Sequence, residues 1–121
     1  MTRSERACQI WAVLAYAASK RQSLTYGQLG KLIGVPAAGL GGLLEPIQSY
    51  CPSQKLPPLT VLVVQQETGL PGPGFTAASA QAFGQAQSQV FGYGWLEHGN
   101  PQPEKLERAV QALPSNGPGA A

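Results

Sequence analysis

The chain contains no aspartate, and its acidic side chains are six glutamates scattered along 121 residues. No two carboxylates stand at a spacing that suggests an acid/base pair. A single histidine, His98, and two distant cysteines, Cys8 and Cys51, are too few for a zinc site. The two thiols do not make a disulfide framework. They read as reduced, buried thiols of a cytoplasmic protein, although a bridge between them is geometrically conceivable. Charged residues are only 12% of the chain, about half the usual share. The net charge of +2 is too small to imply a nucleic-acid coat or a membrane surface. No stretch approaches the ~20 apolar residues of a membrane span. "GLPGPG" is not a phosphate loop, because Pro71 and Pro73 remove backbone donors and no Lys-Ser/Thr follows. No cofactor is expected.

What is present suits one domain. Hydrophobic residues make up 43%, enough for a packed core, and 15 glycines with 11 prolines predict short elements joined by many turns. The domain is expected over residues 1–113, with "PSNGPGAA" a disordered tail over 114–121.

Arg3 and Arg6 precede the apolar run "IWAVLAYAA", and "AYA" resembles a signal-peptidase site. Glu5 and Gln9 interrupt that pattern, however, and the favoured reading is an amphipathic helix from about Ser4 to Lys20. Its buried face is Ala7, Ile10, Trp11, Leu14 and Ala18, and Thr2 with Glu5 has capping-box spacing. Thr25 and Gln28 repeat that spacing, so a second helix starts near Tyr26 with Leu29, Leu32 and Ile33 inward, and Gly34 stops it. Pro36 fits the first turn of a third helix, whose apolar face is Leu40, Leu43, Leu44 and Ile47. Gly39, Gly41 and Gly42 each weaken that helix by about 1 kcal/mol and read either as close packing against another helix of the domain, the favoured reading, or as close approach to a ligand. Pro46 is expected to kink or split it. "LTVLVVQQ" reads as a strand covered on both faces, needing a partner near residues 23–25 or 70–75. A Gly/Pro loop around Gly72 follows as a wing or hairpin tip. A helix over 76–90, capped by Thr76, inward through Ala82, Phe83, Ala86 and Val90, and a short helix from Pro103, inward through Leu106, Val110 and Leu113, complete the fold.

The residues Ile10, Trp11 and Leu14, then Thr25 to Gly27, Leu29, Ile33, Gly34 and Pro36, then Gly41 and Gly42, run in a familiar order. The chain over about residues 10–75 resembles the winged-helix DNA-binding domain of O6-alkylguanine-DNA alkyltransferases and alkyltransferase-like proteins. The resemblance implies an α+β, mainly helical fold: a winged-helix-like domain, helix-turn-helix plus a short sheet and wing, here with two added C-terminal helices. Two departures bear on function. The family's reactive strand carries Pro-Cys-His-Arg, whereas "PPLTVLVV" has no Cys, His or Arg, so alkyl transfer is not expected and the chain is read as non-catalytic. The family's base-displacing Arg is replaced by Ala38 or Gly39, while its phosphate-pressing Tyr is present as Tyr26.

Two uses of such a scaffold stay open. The first is weak binding of double-stranded DNA, with Lys20, Arg21, Tyr26, Lys31, Gln48 and Lys55 as candidate contacts. The second is a protein-interaction module or adaptor, with Gly72, Tyr93 and Trp95 as candidate contacts, although local packing is the favoured reading of Tyr93 and Trp95. An enzyme of unrecognised type is a third, lesser reading. A continuous positive face would favour nucleic acid; a neutral apolar patch would favour protein. No membrane partner is expected.

Overall fold

The computed structural model describes residues 1–66, 69 and 80–112. The Gly/Pro loop at Gly72, the Thr76 cap, Leu113 and the 114–121 tail lie outside the described residues.

Six α-helices and one two-stranded parallel sheet make up the described fold: α1 (Arg3–Ser19), β1 (Leu24–Thr25), α2 (Tyr26–Ile33), α3 (Leu40–Ser53), β2 (Val63–Val64), α4 (Ala80–Gly92), α5 (Trp95–His98) and α6 (Pro103–Ala112). Helices α1, α3 and α6 pack on one another to form the centre. Both expected capping boxes form. Thr2 accepts from the Glu5 N–H at 3.1 Å while Glu5 accepts from Thr2, and Thr25 and Gln28 repeat the exchange at 3.1 and 2.9 Å. Ala7, Ile10, Trp11, Leu14 and Ala18 of α1 are all buried. Trp11 sits at the middle of the core, edge-on to Tyr50 and to Trp95, each with ring centroids 5.6 Å away.

Three expectations are corrected. Leu32 is 63% exposed, although Leu29 and Ile33 are buried. The buried arc of α2 is rotated toward Gly30, because a Cβ at Gly30 would collide with the Val35 carbonyl oxygen; the backbone there is closer than any side chain allows. The glycines of α3 are not packing contacts. A Cβ at Gly41 or Gly42 would meet open space, and at Gly39 only Val35 Cγ1 at 3.4 Å. Nor does Pro46 split α3, which runs unbroken through both Pro46 and Pro52. The carbonyl that Pro46 leaves without an intrahelical donor belongs to exposed Gly42, so the loss falls on the solvent side.

The segment "LTVLVVQQ" is buried from Leu59 to Val64 as expected of a fully covered element, but most of it is not a strand. Residues Leu59–Leu62 form a 3-10 turn after Pro58, and only Val63–Val64 pair, in parallel with Leu24–Thr25. Continuous burial cannot by itself separate a strand from a buried turn.

Helix ends supply one more feature. α1, α2 and α3 each close with a left-handed residue just beyond the last helical turn and a bond from the next N–H back to the helix: Gln22 to Ala17 at 2.9 Å, Val35 to Gly30 at 2.9 Å and Leu56 to Cys51 at 2.8 Å. At α2 the left-handed residue is Gly34. At α1 and α3 it is a cation, Arg21 (φ 54°) and Lys55 (φ 57°), the only non-glycine residues with positive φ among those described.

Candidate functional site

The first turn of α2 is fixed by its capping box, and this sets Tyr26 at the mouth of an open cavity of about 580 Å³. Thr25, Tyr26 and Gly27 form one wall. Ala37 and Ala38 of the turn between α2 and α3 form another, with Gly41, Leu44 and Gln48 of α3. Gln65 and Gln66, just after β2, close the third side. The short parallel pairing of β1 with β2 brings these glutamines beside Thr25. The small residues at 37, 38 and 41 keep the cavity wide, and a Cβ at Gly41 would stand free in it.

Among the described residues no charged side chain lines this cavity. Its polar groups are amides and hydroxyls, which can donate and accept at once. The exposed lining residues Ala37, Ala38 and Gly41 are small. Of the six residues expected to contact DNA, the cavity brings together only Tyr26 and Gln48. Lys31 is exposed on α2, outside the lining. Lys20 lies 5.7 Å from the ring centre of Tyr16, and Arg21 lies 5.9 Å from that of Phe91 on α4. Lys55 borders a different cleft with Tyr93, beyond the C-terminal end of α3. That end lies about 20 Å along the helix axis from Gly41. The expected positive face is therefore divided, and the cavity carries none of it.

The aromatic candidates also separate. Trp95 is buried and donates its indole N–H to the Val90 carbonyl at 2.7 Å, so it belongs to the core rather than to a contact surface. Tyr93 is half-buried against it, with ring centroids 4.6 Å apart. His98 is exposed, and its Nδ1 lies 2.9 Å from the Gly99 carbonyl oxygen.

The thiols are poor nucleophiles where they stand. Burial pushes the Cys51 thiol up to about 11. Cys8 is half-buried, its thiol also raised chiefly by burial, and it donates to the Pro101 carbonyl at 3.1 Å. Both are free thiols. Among the described residues no three His, Cys, Asp or Glu side chains gather as a metal site, and no helix is long and apolar enough to cross a membrane.

Sequence reasoning missed Gln65 and Gln66, which were assigned to the end of a strand. Their only local signal was a polar pair ending an apolar run; the pairing of β1 with β2 makes them part of the cavity. Comparison with protein-family models, with curated proteins and with solved structures gives no match to this chain.

Proposed function

We propose that the chain is a non-catalytic, winged-helix-like binding module whose cavity between α2 and α3 receives a segment of a protein partner. The observation that carries this reading is that none of the described residues lining the cavity is charged, and that Ala37, Ala38 and Gly41 among them are exposed. Duplex DNA binding draws most of its affinity from Lys and Arg on phosphates. A polypeptide needs instead an apolar floor with a few two-way hydrogen-bonding groups, which Leu44, Gln48, Gln65 and Gln66 supply.

The convergence of Tyr26 and Gln48 on one cavity favours a second reading, in which an uncharged base of duplex DNA enters it. A site-specific photocrosslinker separates the two. With p-benzoylphenylalanine in place of Ala38, irradiation in cells is expected to give a discrete protein adduct that is lost on adding Gln48→Arg. An adduct to nucleic acid supports the base-binding reading instead. Crosslinking no stronger than at exposed Arg108 on α6 overturns both.

A further inference from the structure

Three cations that the cavity leaves aside lie near aromatic rings. Lys20, Arg21 and Lys55 are exposed, and among the described residues none has a carboxylate within ion-pair distance. Arg3 contrasts with them, lying 3.6 Å from Glu45 and 3.5 Å from Glu107. Each of the three lies by an aromatic ring instead. Lys20 stands over Tyr16, itself 59% exposed, and Arg21 stands over Phe91. Lys55 shares with Tyr93, Pro57, Pro58 and Gln89 an open cleft of about 570 Å³. Phe91 and Tyr93 stand on either side of Gly92, the last residue of α4, so Arg21 and Lys55 both lie beside the C-terminal end of that helix. Glu97, close to Tyr93 in sequence, is turned against Gly94, where a Cβ would meet its Oε1 at 2.6 Å.

The backbone adds an independent observation. Arg21 and Lys55 hold the left-handed positions of two helix ends, where glycine fits without strain and does so at α2. A side chain there costs stability. Both strained residues are cations, and both lie beside the same end of α4.

We propose that this basic-aromatic face binds single-stranded nucleic acid, with Lys20, Arg21 and Lys55 on successive phosphates and the rings of Tyr16 and Tyr93 taking unpaired bases. A duplex hides its base faces in its own stack, so the exposed ring of Tyr16 and the half-buried ring of Tyr93 add nothing to it; a single strand uses both the cations and the rings. The site is separate from the α2–α3 cavity and does not depend on what that cavity holds.

The test is fluorescence anisotropy of the full chain with labelled oligo-dT, oligo-dA and a duplex of matching length, over a range of salt. Three phosphate contacts give a slope of log affinity against log salt of about −2 for the single strand. Both single strands are expected to bind more tightly than the duplex. The triple variant K20Q/R21Q/K55Q is expected to lose roughly tenfold or more in affinity and most of the salt slope. Tyr93→Ser is expected to lose about tenfold with the slope unchanged. The double variant R21G/K55G guards against misfolding as the cause, since glycine relaxes both turns: it is expected to melt higher than the parent and bind more weakly. Equal affinity for duplex and single strand, no binding at low salt, or competition by poly-glutamate as strong as by oligo-dT would each overturn the proposal. So would unimpaired binding by R21G/K55G.

Discussion

A missing side chain has opposite consequences at Gly30 and Gly42. At Gly30 the space for a Cβ is taken by the Val35 carbonyl oxygen, so a methyl group there must push the α2–α3 turn away from the helix. At Gly42 the space is open and the residue sits exposed in a regular helix. Gly30→Ala is therefore expected to destabilise by about 1–3 kcal/mol, the range for overpacking, whereas Gly42→Ala should stabilise by up to ~1 kcal/mol through helix propensity. Denaturant midpoints check both, and equal shifts of the same sign would contradict the geometry. Residue identity alone did not separate these glycines. The sequence places Gly30 within an ordinary helical turn and groups Gly41 and Gly42 with a packing motif. Only the fold shows which backbone is approached.

At the scale of elements, the helix boundaries were the most legible feature. Thr2 with Glu5, and Thr25 with Gln28, satisfy orphan N–H groups by contacts three residues apart, and no distant partner is needed. The strand was less legible, because "LTVLVV" is buried by α1, α3 and α4 together and burial of that kind suits a 3-10 turn as well as a ladder. Of the contacts between elements, the pairing of Val63–Val64 near residues 23–25 was legible as one of two options, and the helix contacts were not. Glu107 of α6 accepts from the Ser4 hydroxyl at 2.6 Å and lies beside Arg3, so it ties α6 to the start of α1. The Ser4 hydrogen bond foremost, and then Arg3, hold its carboxyl below the ordinary carboxylate value. A depressed value means that the contact stabilises the fold above the unfolded carboxylate range and is lost as the pH falls through the folded value. Glu107→Gln is thus expected to flatten the fall in melting temperature between neutrality and about pH 3. Melting curves across that range test it; parallel falls in the two proteins would show that the tie carries no pH dependence.

The molecule as a whole buries Cys51 between α3 and the Leu59 turn, where the thiol is 1% exposed and raised to about 11. Its reaction with an aromatic disulfide reagent is accordingly expected to need unfolding rather than local fraying. In a Cys8→Ser variant, the labelling of Cys51 should rise with denaturant in step with loss of helical circular dichroism. Labelling well before that loss would mean that α3 opens by itself. The same burial bears on chemistry: with Cys51 enclosed and no nucleophile in "LTVLVV", recognition rather than group transfer is the use proposed for the α2–α3 cavity.

Local order was written in the residues themselves: that α1, α2, α3, α4 and α6 are helices, where α1 and α2 begin, that Gly34 ends α2, and that Trp11 faces inward. Each depends on neighbours within a turn or on periodicity along one element. The tertiary structure alone decided the placement of function-bearing groups. Six candidate contacts on one assumed face became Tyr26 and Gln48 in a cavity whose described lining is uncharged, Lys31 apart, and Lys20, Arg21 and Lys55 near rings at the ends of α1, α3 and α4. The reason is geometric. The direction of a side chain follows from its own helix, but what it faces follows from how α1, α3 and α4 pack, and that is set by contacts between residues far apart in the chain.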